Sequence, residues 1–413
     1  VILFDLSRLL SRARRETPTG IDRVELAYAE HLIAGDGETD FGVITACGRF
    51  GLLPRRAACA YVAALAAAWR GNGAVSRRHR TVRNLAFRLR AEALLRGERP
   101  LYSRLRQAGG NPVYLLVSHH HLENRRAIAR LKERGGARFV CLIHDLIPIE
   151  FPEYALPGQA DRHRRRIESA AALADAVIVN STVTQKTFQP YLERAGRAPP
   201  VIVAPFGIEL TPPPAHMPPP LEMPYFVCIS TIEARKNHLL LLLLWRQLAA
   251  QLGAAAPRLV LIGQRGWETE TAVDLLERCP ALKGLVFEKS GLPDSEVARW
   301  LKGARALLLP SFAEGFGFPL VEALALGVPV LCTDIPALRE NGGTVPEYFD
   351  PLDGPGWRTA ILDYARPDSP RRAAQLHRLA AWRPASWQEH FAAVDALIRA
   401  VAGGPAAAIR RRI

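Results

Sequence analysis

At 413 residues, 49% of them hydrophobic and 23% charged, the chain is long enough for two or three domains with sizeable cores, and its 31 glycines and 32 prolines are too dispersed for a collagen-like or globally disordered class. The net charge of +14 is uneven: between Arg70 and Arg106 eleven arginines stand against two glutamates, a local balance of +9 that predicts one basic face. Cys47, Cys59, Cys141, Cys228, Cys279 and Cys332 are scattered without C-x-x-C or paired spacing, which argues against a disulfide framework or a zinc ribbon.

The chain opens on the strand-like Val1-Ile2-Leu3-Phe4 rather than on a basic region with a cleavage site. The longest apolar run, Ala57 to Trp69, is alanine-rich and short of the roughly 18 residues a spanning helix needs, so a soluble, reducing, cytoplasmic protein is expected. Val1 to Leu6 predicts the first strand, and Thr17-Pro-Thr-Gly-Ile-Asp-Arg-Val24 a turn leading into a helix. In the arginine segment, Val82, Leu85, Ala86, Leu89 and Ala93 recur at helical spacing as one apolar stripe, with Arg83, Arg88, Arg90 and Arg96 beside or opposite it. An ordinary surface helix accounts for that periodicity, but the local charge repels itself unless an anionic partner offsets it.

Val113 to Val117 is the next strand, followed by His119-His120-His121. Consecutive histidines point in different directions and no acidic partner stands at metal spacing, so these residues are expected to line a local cleft and no metal site is expected. Phe139 to Ile143, Ala176 to Val179 and Val201 to Ala204 complete the first half, with Ile143-His-Asp-Leu-Ile-Pro148 and Asn180-Ser181 at strand ends. Thr211-Pro-Pro-Pro-Ala-His-Met-Pro-Pro-Pro220 can be neither helix nor central strand and reads as a linker over 211–222. Beyond it Tyr225 to Ile229, Leu259 to Ile262, Leu285 to Glu288, Ala306 to Leu309 and Val328 to Cys332 resume the alternation. Short β-branched runs separated by amphipathic stretches predict an α/β class with doubly wound parallel sheets, which bind ligands at the carboxyl ends of their strands.

Two strand ends carry charged residues suited to chemistry. After Ala306-Leu-Leu-Leu-Pro310 comes Ser311-Phe-Ala-Glu-Gly-Phe-Gly-Phe-Pro-Leu-Val-Glu322, with Pro319 fit to start a helix and Gly327 and Pro329 to end it. Glu314 therefore sits on the turn and Glu322 in the first helical turns, while Gly315 and Gly317 let backbone approach a ligand. A preference of acidic residues for helix N-termini would place two glutamates there equally well. After Tyr225 to Ile229, Ser230-Thr-Ile-Glu-Ala-Arg-Lys-Asn-His238 precedes a helix from about Leu239. Arg235 and Lys236, backed by the positive end of a helix, form a site for a diphosphate.

Glu314-Gly-Phe-Gly-Phe-Pro-Leu-Val-Glu322, with Glu322-Ala-Leu-Ala-Leu-Gly-Val-Pro329, resembles the E-x7-E signature of retaining glycosyltransferases of family 4, which have the GT-B fold. The Ser230 to His238 segment is similar to that family's T-x-E-x-R-K-N-H, Gly263-Gln-Arg-Gly-Trp267 to its L-x-G-x-x-G-W turn, and Ile143 to Pro148 to the H-D-L-I-P of a bacterial polysaccharide mannosyltransferase-like branch. The resemblance implies two Rossmann-like doubly wound domains facing a cleft: 1–210 for the acceptor, the linker 211–222, 223–384 for the nucleotide sugar, and 385–413, from Ser386-Trp387 on, as a helix crossing back to the first domain. It implies that Glu314 contacts hydroxyls of the donor sugar and Glu322 the ribose, with Gly315, Phe316 and Gly317 beside sugar and phosphates. Arg235 and Lys236 neutralise the departing diphosphate, Asn237 and Gly263 lie at the nucleotide, and Ser290 and Leu292 occupy the place where backbone meets the base. In the first half, Gly20 and Arg23 face the donor phosphates, His144 contacts the transferred sugar, and Asp145 lies next to it or only closes a turn.

The implied activity is metal-independent, retaining transfer of a hexose, mannose favoured, from a GDP- or UDP-linked donor to a hydroxyl of a lipid-linked or growing bacterial polysaccharide of capsule, exopolysaccharide or O-antigen type. No cofactor is implied, since the nucleotide sugar is substrate. Arg77 to Arg106 would meet an anionic membrane surface, placing a cytoplasmic protein peripherally at the inner face of the membrane. Alternatives are a soluble small-molecule acceptor, a sugar-nucleotide epimerase of the same fold, and, more remotely, a basic nucleic-acid-binding protein; with no nucleic-acid-binding motif beside the charge, no nucleic-acid partner is expected.

Overall fold

Apolar runs of four to six residues are too short to bury a helical face but long enough for a strand covered on both sides, and every predicted strand forms. In the computed structural model of the chain, residues 1–71, 75–210, 218–267 and 269–403 are described, 75–77 by backbone alone. The expected linker falls largely on residues 211–217, outside the described residues. Contacts divide the chain into two units, one of 1–150, 157–207 and the chain from Ser386, the other of 151–156 and 208–385.

The first unit holds β1 (Ile2–Asp5), β2 (Thr39–Ile44), β3 (Phe50–Leu53), β4 (Val113–Leu116), β5 (Arg138–Ile143), β6 (Ala176–Val179) and β7 (Val201–Val203). Their order is β3-β2-β1-β4-β5-β6-β7, parallel except for the β2–β3 pair at one edge. Phe4 pairs with Phe41 on one side and Leu115 on the other, so the first strand is central, and it is buried from Leu3 to Asp5. The sequence reading missed β2 and β3. Thr39-Asp-Phe-Gly-Val-Ile carries a mid-strand glycine, which the fold uses for contact: a Cβ on Gly42 would stand 3.2 Å from Leu3 Cδ1. The helix Trp387–Gly403 packs on this unit through Phe391, stacked on His31 at 3.9 Å, and His390, whose Nε2 lies 2.7 Å from the Tyr28 hydroxyl.

The second unit holds β8 (Tyr225–Ile229), β9 (Arg258–Ile262), β10 (Val286–Lys289), β11 (Leu307–Leu309), β12 (Val330–Thr333) and β13 (Glu347–Phe349), ordered β10-β9-β8-β11-β12-β13 and all parallel. β13, three half-buried residues at the edge, was also missed. Among the described residues one stretch, His238–Ala255, is long and apolar enough to cross a membrane. Its helix, His238–Leu252, instead buries Leu241, Leu242, Trp245 and Leu248 in the core of this unit, each such side chain stabilising by about 1.5–3 kcal/mol. Residues 151–156, expected in the first domain, belong to this unit because the Tyr154 ring stacks on Phe312 at 5.5 Å and the Tyr154 carbonyl accepts a hydrogen bond from Trp267 Nε1.

Candidate active site

Both sheets start at a central strand and grow outward from it, first to one side and then to the other. The strand order therefore reverses between β8 and β11 in the second unit and between β1 and β4 in the first. Loops at such a switch point diverge to opposite faces and leave a crevice at the carboxyl ends of the strands. The two motifs of the second half are the loops after β8 and β11.

After β8 the chain makes a short 3-10 turn, Ala234–Lys236, and Asn237 takes a left-handed conformation at φ 54° before the helix begins. The Phe312 N–H donates to the Arg235 carbonyl at 2.9 Å, tying the two loops together by backbone. Glu314 Oε1 then accepts from Lys236 Nζ and from Ser311 Oγ, both at 2.7 Å, and its Oε2 lies 3.4 Å from the Arg235 guanidinium. The other end of that guanidinium donates to Glu233 Oε1 at 2.7 Å. Two cations and two carboxylates, their side chains between 5% and 18% exposed, thus balance within one cluster. Burial pushes the Glu314 carboxyl up, but Lys236 and Arg235 outweigh it and hold the group below its usual range. Burial pulls Lys236 down, with Glu314 opposing. An ionised, oriented Glu314 can only accept hydrogen bonds, which suits it to ligand hydroxyls and not to proton donation.

Gly317 caps the helix Phe318–Ala325 at φ 85°, and Glu322 lies half-buried on that helix. Three of the expected ligand residues have structural work in this structure. The Phe316 ring is buried against Phe318, 4.9 Å between centroids, so that its backbone is what remains for a ligand. The Asn237 amide donates to the Pro351 carbonyl at 3.0 Å. Gly263 makes room for the preceding loop, since a Cβ there would fall 1.9 Å from the Ser230 oxygen. Ser290 is exposed and Leu292 half-buried on either side of Gly291, whose φ is 67°. Glu233 and Ser311 were quoted in the motifs but given no part; their spacing, two before Arg235 and three before Glu314, was the available signal.

In the first unit Thr19 and Asp22 form a capping box that makes Gly20 the first residue of the helix Gly20–Ala34, where N–H groups lack intrahelical partners. Arg8 Nε pairs with Asp22 at 2.7 Å, and Arg23 is half-buried on the same helix. His144 follows β5, next to the switch point, and is buried. Its Nε2 lies 2.7 Å from the Val117 carbonyl, so the proton sits on Nε2 and Nδ1 carries the lone pair. The His144 N–H donates to His119 Nε2 at 3.2 Å, and its carbonyl accepts from Asn180 Nδ2 at 2.9 Å. His163 closes the cluster, its ring 4.7 Å from that of His119 and its Nε2 3.0 Å from the Asp145 carbonyl. Burial takes His144 down to about 4 and His119 well below the usual range, so both are neutral near pH 7. Asp145 closes a turn by accepting from the Ile147 N–H, and Ser181 caps the next helix through the Thr184 N–H. His119 is thus drawn into a packed histidine cluster rather than left lining a surface.

Residues 216–341 match the family model for glycosyl transferases group 1. The chain carries that domain. O-antigen chain mannosyltransferase B of Escherichia coli is 35% identical over 164 residues, 40% of this chain and 42% of that protein. The serotype-specific mannosyltransferase WbdA of Escherichia coli is 25% identical over 52% of this chain and 28% of its own length. The chain therefore spans less than half the length of these two relatives. A sucrose-phosphate synthase from Thermosynechococcus elongatus superposes with a TM-score of 0.61 at 17% identity, over 97% of this chain and 98% of that one. Anabaena HepE, solved in complex with UDP and glucose, gives 0.61 at 15% over 96% and 99%. The glycosyl transferases domain in the second unit, and glycosyltransferase structures that match both units, make the fold GT-B.

Proposed function

We propose that the protein is a retaining, metal-independent hexosyltransferase that moves mannose from a nucleotide diphosphate sugar to a hydroxyl of a bacterial polysaccharide carried on a polyprenyl diphosphate at the inner face of the membrane. The observation that carries this reading is the cluster at the second switch point, where Arg235 and Lys236 meet Glu314 at a helix N-terminus. The names of the O-antigen mannosyltransferases support mannose and the polysaccharide acceptor. In this reading the diphosphate takes Lys236 and Arg235 as its counter-charges, and Glu314 turns to the hydroxyls of the transferred sugar. Glu322 holds the ribose, and His144 presents Nδ1 as an acceptor toward the sugar. The acceptor oxygen bonds to the anomeric carbon from the side on which the bond to the phosphate oxygen breaks; the departing phosphate takes the acceptor proton. The two cations and the helix dipole supply the positive charge that a divalent ion brings elsewhere.

A panel of GDP- and UDP-linked sugars tests the reading, with EDTA-treated protein and NMR of the product. GDP-mannose is expected to turn over at an undiminished rate in EDTA and to give the α-anomer from the α-linked donor. Strict dependence on Mn²⁺ or Mg²⁺, or an inverted product, would overturn it.

A further inference from the structure

The helix Val75–Arg96 buries Val82, Ala86, Leu89 and Ala93 against the first unit, four of the five residues of the predicted stripe, with Leu85 half-buried at its margin. Ala93 approaches so closely that a Cβ on Gly51 would meet its methyl group at 2.8 Å. The sequence did not show what the outward face carries. Phe87, Leu94 and Leu95 are 75%, 52% and 86% exposed. They account for three of the eight large, exposed hydrophobic side chains among the described residues, so the apolar exposure is concentrated on one element. At 100° per residue they span about 100° of arc opposite the buried stripe, with Arg80 among them, Arg83 and Arg90 on one flank and Arg88 on the other. All four arginines are exposed, and among the described residues no acidic side chain pairs with Arg80, Arg83 or Arg88.

We infer that this face inserts into an anionic lipid bilayer, with Phe87, Leu94 and Leu95 entering the acyl boundary and the surrounding arginines resting on lipid phosphates. The partner has to be anionic and apolar at once. A nucleic acid would satisfy the arginines and leave the three large side chains in water; a second copy of the helix would bury them but set arginine against arginine. A bilayer of anionic lipid offers both parts, and arginine stems of this length let the guanidinium reach the headgroups while the backbone lies at the interface. The face is separate from the donor cluster of the second unit, so its role stands or falls independently of the reaction proposed above.

Co-sedimentation of the full chain with phosphatidylglycerol and phosphatidylcholine vesicles tests this, using two variants whose helicity is checked by circular dichroism. Wild type is expected to bind phosphatidylglycerol vesicles selectively. Arg80→Gln/Arg83→Gln/Arg88→Gln should lower that affinity on the order of 100-fold at low salt, since each basic residue at such a surface contributes about a factor of five. Phe87→Ser/Leu94→Ser/Leu95→Ser should remove the binding that survives in high salt, by about tenfold or more, while turnover of a soluble acceptor is unchanged. Failure of wild type to bind, equal binding to both vesicle types, or undiminished binding by the serine variant would overturn the inference. So would a dimer in light scattering that the serine variant dissolves, since that would give the face to a second copy.

Discussion

At the scale of single residues, the cluster at the second unit's switch point is a set of charges each of which is oriented by another. Removing Lys236 leaves Glu314 with a hydroxyl and a more distant guanidinium, and removing Glu314 leaves Lys236 buried without its counter-charge. Lys236→Ala and Glu314→Ala are each expected to lower kcat by about 100-fold or more, the usual cost of losing one preorganised electrostatic contact, with the circular dichroism spectrum retained. Near wild-type turnover by either variant with its true donor would remove both residues from the site. Arg235, Lys236 and Glu314 stood out in the sequence because they follow apolar runs, although a helix N-terminus by itself also favours a glutamate. Asn237 and Phe316 stand in the same motifs and are engaged in bracing and packing, which residue type alone does not reveal. The histidine cluster was half legible: His144 stood at a strand end, but His163, on a distant helix, carried no local signal.

Elements position these residues through backbone devices that tolerate little change. Gly317 at the start of the glutamate helix combines a left-handed φ of 85° with a close neighbour, since a Cβ would lie 2.5 Å from Leu338 Cδ2. Gly317→Ala therefore meets both the left-handed penalty, about 1–2 kcal/mol, and overpacking of about 1–3 kcal/mol. A loss of about 2–5 kcal/mol in urea-induced unfolding of the second unit is expected, and a loss under about 1 kcal/mol would show that the cap relaxes freely. The central strands of both sheets were legible because they are continuous apolar runs. Three strands were not: β2, next to the edge, contains a glycine, and of the edge strands β3 is a four-residue antiparallel partner and β13 is three residues long. An edge strand is defined by what it pairs with, which a local pattern does not record.

Across the whole molecule, buried neutral histidines link stability to pH. Burial lowers His144, His238 and His390 to about 4, whereas an unfolded histidine titrates near 6.5. Between those values the unfolded chain binds protons that the folded chain refuses, so the stability these groups contribute is present above about pH 6.5 and is lost as pH falls toward 4. Asp5 works the other way: burial raises its carboxyl to about 6, and the folded state gains stability as pH falls below that value. The first unit sets His119, His120, His121 and His163, all lowered by burial, beside His144 and His390, against Asp5 and Glu25, both raised by burial; the second holds His238 without such an opponent and loses about 2 kcal/mol between pH 7 and pH 5. For a unit of this size that is a fall in Tm of about 4–8 °C. Scanning calorimetry at pH 7, 6 and 5 and constant ionic strength reads it directly. For the second unit, a Tm that stays level or rises toward pH 5 would mean that the His238 imidazole reaches solvent.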